Sequence, residues 1–216
     1  MTIVSCVYVP EGIAMAADSR LTNTISSNGS EKVTYTLTDN AQKLMLIRDG
    51  TIGVSFSGTA ILDGKTTADF IREFDISLPN ASYNIPHVAH LLHEFIKSKS
   101  LNATFKLCGY ENDEPYVYDV TLEAPSRLNI DGTGSIAYGA TWAGEITLPN
   151  RLFNNHMVNF NFLPLKDAHD LAHLIVDVTK KFTRFEDRIS TVGGPIDTLV
   201  ITKDYTKFIK HKILSP

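Results

Sequence analysis

The sequence predicts an α+β fold in which antiparallel strands and helices occupy separate segments. Runs of alternating apolar and polar residues follow one another along the chain, as half-buried strands do. Three further segments carry apolar residues at helical spacing, and they fall between blocks of strands rather than alternating with single strands. Because βαβ winding would alternate strand and helix, the block order favours a layered sandwich of antiparallel sheets.

The first part of the chain reads as strands joined by short turns. A β-branched run at residues 2–9 is followed by Pro10-Glu11-Gly12, a turn signal, and by a second apolar run. Asp49-Gly50 lies between two apolar runs and is the strongest short hairpin signal. We therefore expect strands at residues 2–9, 13–17, 32–37, 43–48 and 51–57, with residues 20–31 as a polar loop.

The second part of the chain mixes helices and strands. The clearest helix is residues 166–183, where five apolar side chains fall on one stripe. A further helical region begins near residue 143 but is interrupted by Pro149. The remaining expectations are helices at 60–75 and 87–98, and strands at 103–109, 115–123, 135–139, 196–202 and 206–213.

Composition narrows the classes of protein. The 216 residues suit one domain over residues 1–216. The formal net charge of −4 argues against a nucleic-acid binder, and no apolar run has the length that a membrane span needs. The chain shows no signal peptide, and Cys6 and Cys108 lie in apolar runs, as reduced thiols do in a cytoplasmic protein.

One histidine pair looks like a metal site but is interpreted otherwise. His169 and His173 are four residues apart, as in zinc-binding helices, yet the helical wheel puts both on the solvated face. The residue after His169 is Asp170, one carbon shorter than the glutamate that acts as a base in such helices. We therefore predict no metal site and no cofactor.

The start of the chain carries chemistry of its own. If Met1 is removed, Thr2 has a hydroxyl beside a free α-amine. The pKa of an α-amine is about 7.7–8.0, so the amine can be neutral near pH 7 and take the proton of that hydroxyl. Thr2 is thus a candidate nucleophile that carries its own base.

Charged and small residues lie where the predicted strands would bring them towards Thr2. Asp18 and Arg20 end the strand that returns to the start of the first strand, and Lys43 opens a later strand. Residues 57–60, Ser-Gly-Thr-Ala, close the partner of that strand just before a predicted helix. Backbone N–H groups at such a turn can stabilise an oxyanion.

On these residues the sequence resembles the proteasome β-subunit and HslV-type family, which are threonine-type N-terminal nucleophile hydrolases. The matching residues include Thr2-Ile3-Val4, the segment from Gly12 to Arg20, Lys43-Leu44, residues 57–60 and Gly193-Gly194. The resemblance implies a four-layer αββα sandwich and a threonine endopeptidase. It also implies rings of identical subunits in the cytoplasm, acting on peptides or unfolded proteins, with room for an ATPase unfoldase as partner.

The resemblance implies a role for each matching residue. Thr2 would be the nucleophile, Asp18 would hold Lys43, and Lys43 would lower the pKa of the Thr2 groups. Backbone N–H groups near Ser57 and Gly58 would bind the oxyanion. The supporting residues would be Arg20, Asp187 and Ser190, and the residues lining the substrate cleft would be Thr22 and Ser55.

Two alternatives stay open. The stretch between Asp18 and Lys43 is about ten residues longer than the family pattern, so Lys32 is a rival for the catalytic lysine. Some ring subunits of this kind share the fold without catalysis, and a silent scaffold subunit is the alternative function.

Overall fold

The computed structural model describes residues 2–27, 31–78, 84–153 and 158–213. No helix in these ranges has the length and apolar character required to cross a membrane. The helices are α1 Thr67–Ser77, α2 Ile85–Ser98, α3 Thr147–Phe153 and α4 Leu165–Phe182. The strands are β1 Ile3–Val9, β2 Gly12–Ala17, β3 Leu21–Ser27, β4 Glu31–Thr38, β5 Leu44–Ile47, β6 Ile52–Gly58, β7 Ile61–Leu62, β8 Lys65–Thr66, β9 Ala103–Glu111, β10 Glu114–Val120, β11 Pro125–Arg127, β12 Gly139–Gly144, β13 Asp197–Ile201 and β14 Thr206–Lys210.

Two five-stranded sheets contain most of these strands. Their strand orders are β12-β1-β2-β13-β14 and β11-β10-β9-β6-β5. Every pairing between the described strands is antiparallel. The mixed fold with antiparallel sheets that the sequence predicts is therefore confirmed.

Strands β1 and β2 are buried along their whole length because both of their faces are covered. Ile3 and Val7 pack with α4, whereas Val4 and Cys6 point to the opposite face and pack with residues of the second sheet. This alternation follows from the two-residue period of a strand. Cys6 reaches Cys108 of β9 across the contact, with their Sγ atoms 3.6 Å apart and both thiols buried.

The second sheet has its own helical cover. Phe74 of α1 and Leu92 of α2 belong to one apolar cluster with Phe56 and Phe105 of the sheet. Helix α1 begins with a capping box, in which Thr66 accepts from the backbone of Asp69 and Asp69 accepts from the backbone of Thr66. The apolar spacing predicted this helix too early, because residues 60–66 include the small β7–β8 hairpin instead.

The predicted loop at residues 20–31 is wrong. Strands β3 and β4 form a separate two-stranded sheet across this region, with Thr22 opposite Thr36. The strands are rich in Thr, which favours extended structure, but the alternation that marks a half-buried strand is weak in β3. One face of β4 exposes Val33, Tyr35 and Leu37.

Two further boundaries differ from the prediction. The strand expected at 135–139 is β12, Gly139–Gly144, which pairs with β1 from Tyr8 to Ile3. The interrupted helix is α3, and it tolerates Pro149 because the proline lies in its first turn, where no helical N–H bond is lost. The Asp49-Gly50 hairpin is present, with a four-residue turn in which three consecutive residues have positive φ.

Candidate active site

The β1–β2 register brings Asp18 beside the start of the chain. Val4 pairs with Ala17, so the next residues of the two strands, Ile3 and Asp18, are neighbours. The backbone N–H of Asp18 donates to the Ile3 carbonyl over 3.2 Å. The N–H of Ile3 donates to Asp18 Oδ1 over 3.1 Å. Thr2 therefore lies next to a residue that the Asp18 carboxylate holds directly.

The Asp18 carboxylate is buried, and both of its oxygens accept hydrogen bonds. Oδ1 also accepts from Lys43 Nζ at 2.8 Å. Oδ2 accepts from the backbone N–H groups of Arg20 at 3.2 Å and Gly193 at 3.0 Å. Since these donors come from four separate segments, one carboxylate connects β1, the link between β2 and β3, the residue before β5 and the segment before β13.

Lys43 is buried against this carboxylate, with a side chain only 2% exposed. Burial lowers the pKa of the Lys43 ammonium, Asp18 acts in the opposite direction, and the positive charges of Lys212 and Arg20 lower it further. Lys43 is thus the lysine that the structure brings to Asp18. The rival, Lys32, is in β4 opposite Ser26, in the separate two-stranded sheet.

The backbone of Thr2 is fixed by the end of β12. The Thr2 carbonyl accepts from the N–H of Glu145 at 2.8 Å. A Cβ at Gly144 would lie 1.7 Å from that carbonyl oxygen, and Gly144 has φ +102°, so this close approach requires glycine. The Glu145 carboxylate accepts from Arg188 at 2.7 Å. Sequence reasoning did not find these three residues, because Gly144, Glu145 and Arg188 are far from Thr2 along the chain.

Two cavities meet at Thr2. The larger, about 310 Å³, is lined by Lys43 and by residues of β6 and α1. The smaller, about 290 Å³, is lined by Ser57, Asn102 and Thr104. Thr2 and Gly58 line both cavities. Thr2 therefore lies where an extended molecule could occupy one cavity on each side of it.

Gly58 allows β6 to pass close to its neighbour. It has φ +119°, and a Cβ there would be 2.8 Å from the Cα of Ala103. The following N–H, of Thr59, donates to the Asn102 carbonyl over 3.0 Å. Ser57 is buried and pairs with Thr104. The turn that was expected to supply oxyanion donors thus borders both cavities.

Arg20 supports the site through a partner that sequence reasoning missed. Its guanidinium donates to both oxygens of Asp39, at 2.6 and 2.9 Å, and to the Ser190 carbonyl at 3.1 Å. The hydrogen bond from Arg20 lowers the pKa of Asp39. The Ser190 hydroxyl donates to the Val192 carbonyl over 2.8 Å. Arg20 and Ser190 thus hold the segment that presents Gly193 to Asp18.

Three predicted residues are not brought to the site. Asp187 is exposed and has no hydrogen bond or ion pair within the described ranges. Thr22 is half-buried in β3, and Leu21 lines the larger cavity in its place. Ser55 is fully buried in β6 and lines neither of the two cavities; no hydrogen-bond partner for its hydroxyl is present among the described residues. A single-residue offset along a strand is enough to move a side chain out of a cleft.

A second buried ion pair borders the larger cavity. Lys212 Nζ contacts Asp197 Oδ2, and the Lys212 N–H donates to Asp197 Oδ1 over 2.8 Å. Both side chains are almost fully buried, and Lys212 lines the cavity together with Arg72 of α1. The sequence offered one signal for Asp197: like Asp18, it adjoins an apolar strand, here at the start of β13.

The helical wheel placed the two histidines of α4 on the solvated face, and this prediction is wrong. His169 and His173 are half-buried, and His169 Nε2 lies 2.9 Å from Thr198 Oγ1 of the neighbouring sheet. Burial lowers the pKa of His173. Within the described ranges, no group of three or more His, Cys, Asp or Glu side chains has the arrangement of a metal site.

Comparison with known proteins gives a likeness of fold. No protein-family model matches the chain, and no curated protein matches it. A solved structure of an Anbu (Gly-1) mutant from Hyphomicrobium sp. strain MC1 aligns with a TM-score of 0.67 at 17% sequence identity. The alignment covers 98% of this chain and 86% of that one. The two chains therefore share a fold along almost their whole length.

These comparisons correct the family that the sequence suggested. The expected membership of the proteasome β-subunit and HslV-type family is wrong, since no family model matches the chain and the likeness reported is to an Anbu protein. At 17% sequence identity, this similarity is evidence for a shared fold and for nothing further.

Proposed function

We propose that the chain is an amide-bond hydrolase, a threonine-type peptidase whose nucleophile is Thr2 after removal of Met1. The observation that carries this proposal is the position of Thr2 at the junction of two cavities, beside the buried Lys43–Asp18 pair. A cleft with room on both sides of a hydroxyl suits a chain that is cut in its middle. A buried ion pair with a lowered lysine pKa is common at catalytic sites.

The proposed reaction uses two groups of one residue. The α-amine of Thr2 takes the hydroxyl proton as Oγ1 attacks the substrate carbonyl carbon. The new C–O bond forms, the amide C–N bond breaks, and the amine returns the proton to the leaving nitrogen. Water, deprotonated by the same amine, then attacks the ester; the C–Oγ1 bond breaks and Thr2 recovers its proton. Atoms and charge balance without a cofactor.

Lys43 and Asp18 prepare Thr2 for this step. The Lys43 ammonium lies in the wall of the larger cavity, where its positive charge favours the alkoxide form of a nearby hydroxyl. Asp18 fixes Lys43 Nζ over 2.8 Å and fixes the neighbouring N–H of Ile3. The carboxylate thus aligns the lysine and the threonine backbone against each other, which is positioning rather than proton transfer.

Backbone N–H groups near Ser57 and Gly58 would stabilise the tetrahedral intermediate. Gly58 lines both cavities, so a carbonyl carbon beside Thr2 would present its oxygen to this turn. Each such donor contributes roughly 3–4 kcal/mol in comparable sites.

The proposal extends to the whole molecule. The three apolar clusters support a layer order of helices, sheet, sheet and helix in one domain. A site that cuts peptides without a lid needs seclusion, so we infer that copies of the chain assemble into a ring in the cytoplasm. Peptides or unfolded proteins would be the substrates, and an ATPase unfoldase would be a natural partner of a secluded site.

Peptide hydrolysis by a chain that begins at Thr2 tests the proposal. The protein is released from a cleavable tag that leaves Thr2 first, and fluorogenic peptides with different residues before the reporter amine are offered. We expect turnover that Thr2→Ala abolishes and that Lys43→Met lowers by about two orders of magnitude or more. Thr133→Ala, in an exposed turn away from both cavities, is the matched threonine control and should keep full turnover.

Absence of turnover in the Thr2-first protein, across the peptide set, would contradict the proposal. A catalytically silent scaffold subunit would then be the better description. Equal turnover by Thr2→Ala would instead place the chemistry elsewhere.

A further inference from the structure

The larger cavity is lined by three cations. Its walls include Lys43, Arg72 and Lys212, and no Asp or Glu side chain of the described ranges lines it. The three carboxylates that pair with these cations, Asp18, Asp69 and Asp197, do not belong to the lining. Among the described residues, the cavity wall thus includes the cation of each ion pair and not its carboxylate.

Two of these cations, Lys43 and Lys212, interact unfavourably with each other. Lys43 and Lys212 are almost fully buried, and the charge of Lys212 contributes to the lowered pKa of Lys43. Like charges at short range in a poorly solvated wall raise each other's free energy. A negative group entering the cavity would interact favourably with all three.

Arg72 has donors to spare for such a group. Its Nη1 donates to Asp69 Oδ1 at 2.7 Å and its Nη2 donates to Gln42 Oε1. A guanidinium has five N–H bonds, and the Arg72 side chain is half exposed. The remaining donors are available to a carboxylate, for which the planar fork of arginine is suited.

The rest of the lining suits a short aliphatic stem. Leu21, Phe56 and Ala68 contribute apolar side chains to the lining of the same cavity. A stem of methylene groups ending in a carboxylate would bury its carbons against these walls and present its charge to Arg72. The glutamate side chain has this form.

We propose that the larger cavity binds the acidic side chain of the residue that supplies the scissile carbonyl, so that the substrates are peptides cut after glutamate. This inference rests on the proposed function, because Thr2 defines where the carbonyl lies. It adds the substrate class and assigns Arg72 as the residue that selects it.

Peptides that differ only in charge test this assignment. Matched fluorogenic tripeptides ending in Glu and in its neutral isostere Gln are compared by kcat/KM. We expect the Glu peptide to be cut at least about tenfold faster, as a charge-assisted hydrogen bond provides. Arg72→Gln should remove most of that ratio, because the loss in kcat/KM is larger for the Glu peptide than for the Gln peptide. Arg151→Glu, an exposed change of charge on α3, is the control and should leave the ratio as it is.

Binding separates this inference from the proposed chemistry. Thr2→Ala cannot cleave, so N-acetylated peptide amides containing Glu or Gln can be titrated into it by NMR. Tighter binding of the Glu peptide, lost in Thr2→Ala with Arg72→Gln, supports the cavity assignment even if no hydrolysis is found. Equal binding of the two peptides, binding of neither, or a Glu:Gln ratio that Arg72→Gln leaves unchanged would overturn it.

Discussion

At the scale of single residues, the position of Thr2 depends on a glycine at the end of β12. Gly144 has φ +102°, and a side chain there would collide with the Thr2 carbonyl oxygen. Alanine at this position must therefore displace either β12 or the residue that carries the proposed nucleophile. Residues held in unusual backbone conformations often cluster at functional sites.

Gly144→Ala is expected to lower the free energy of unfolding by about 3 kcal/mol or more and to abolish acylation of Thr2. Gly134→Ala is the matched control, since Gly134 has φ +83° with open space around it. The control should lose only about 1–2 kcal/mol and keep its reactivity. Urea unfolding and covalent labelling measure the two effects. Equal losses in both variants would show that backbone φ, and not contact with Thr2, sets the cost.

The sequence predicted the residues of the site that adjoin strong local patterns. Asp18 and Lys43 each lie at the end of an apolar strand, so their approach to Thr2 follows from strand order. Gly144, Asp39 and Lys212 carry no such pattern. Their roles depend on which distant segments pack side by side, and local periodicity does not determine that.

At the scale of elements, α1 is set by its first turn. The Thr66–Asp69 capping box fixes where the helix starts, and therefore where Arg72, one turn later, meets the larger cavity. The hydrogen bond from Thr66 is the main cause of a lowered pKa at Asp69. The pKa of the folded state thus lies below that of the unfolded state.

Stability from ionised Asp69 is present above the unfolded pKa, near 3.8, and is lost as the pH falls through the lower folded pKa. Asp69→Asn should therefore destabilise by up to about 1 kcal/mol at pH 7, with the difference shrinking towards pH 3. Asp187→Asn, at an exposed carboxylate without described partners, is the control. A difference for Asp69→Asn that stays constant with pH would contradict the assignment.

The β3–β4 hairpin shows why one element escaped prediction. Within the described ranges, its strands pair only with each other and with no strand of the two large sheets. The apolar residues of β4, Val33, Tyr35 and Leu37, are exposed instead. The sequence signal for a strand comes from burial in a core, and none of the hairpin side chains that the structure describes belongs to the three apolar clusters.

At the scale of the whole molecule, the exposed hairpin bears on assembly. A two-stranded sheet alone is marginally stable in water and gains stability from packing. We expect light scattering to give a mass of several times 23.9 kDa, the mass of one chain. Val33→Ser combined with Leu37→Ser should shift the distribution towards smaller species, whereas Ile76→Ser, at another exposed apolar residue, should not. A monomer at micromolar concentration would contradict the proposed ring.

The general architecture was more predictable than its details. Strand blocks and helical stripes were enough for antiparallel sheets with helical cover, because the two-residue and 3.6-residue periods record which face is buried. Boundaries shifted where a small hairpin or a turn replaced the expected continuation, as before α1 and before β12. The wrong family expectation rested on short matching segments around Thr2, which are too few to establish a family.

Covalent labelling at Thr2 tests the central claim most directly. A chain released to begin at Thr2 is treated with a small uncharged β-lactone, then analysed by intact mass and peptide mapping. We predict one added reagent mass, located on Thr2, and none in Thr2→Ala or in the chain that retains Met1, whose Thr2 nitrogen is an amide. Labelling that persists in Thr2→Ala, or a Thr2-first chain that stays unmodified, would contradict the assignment of Thr2 as the nucleophile.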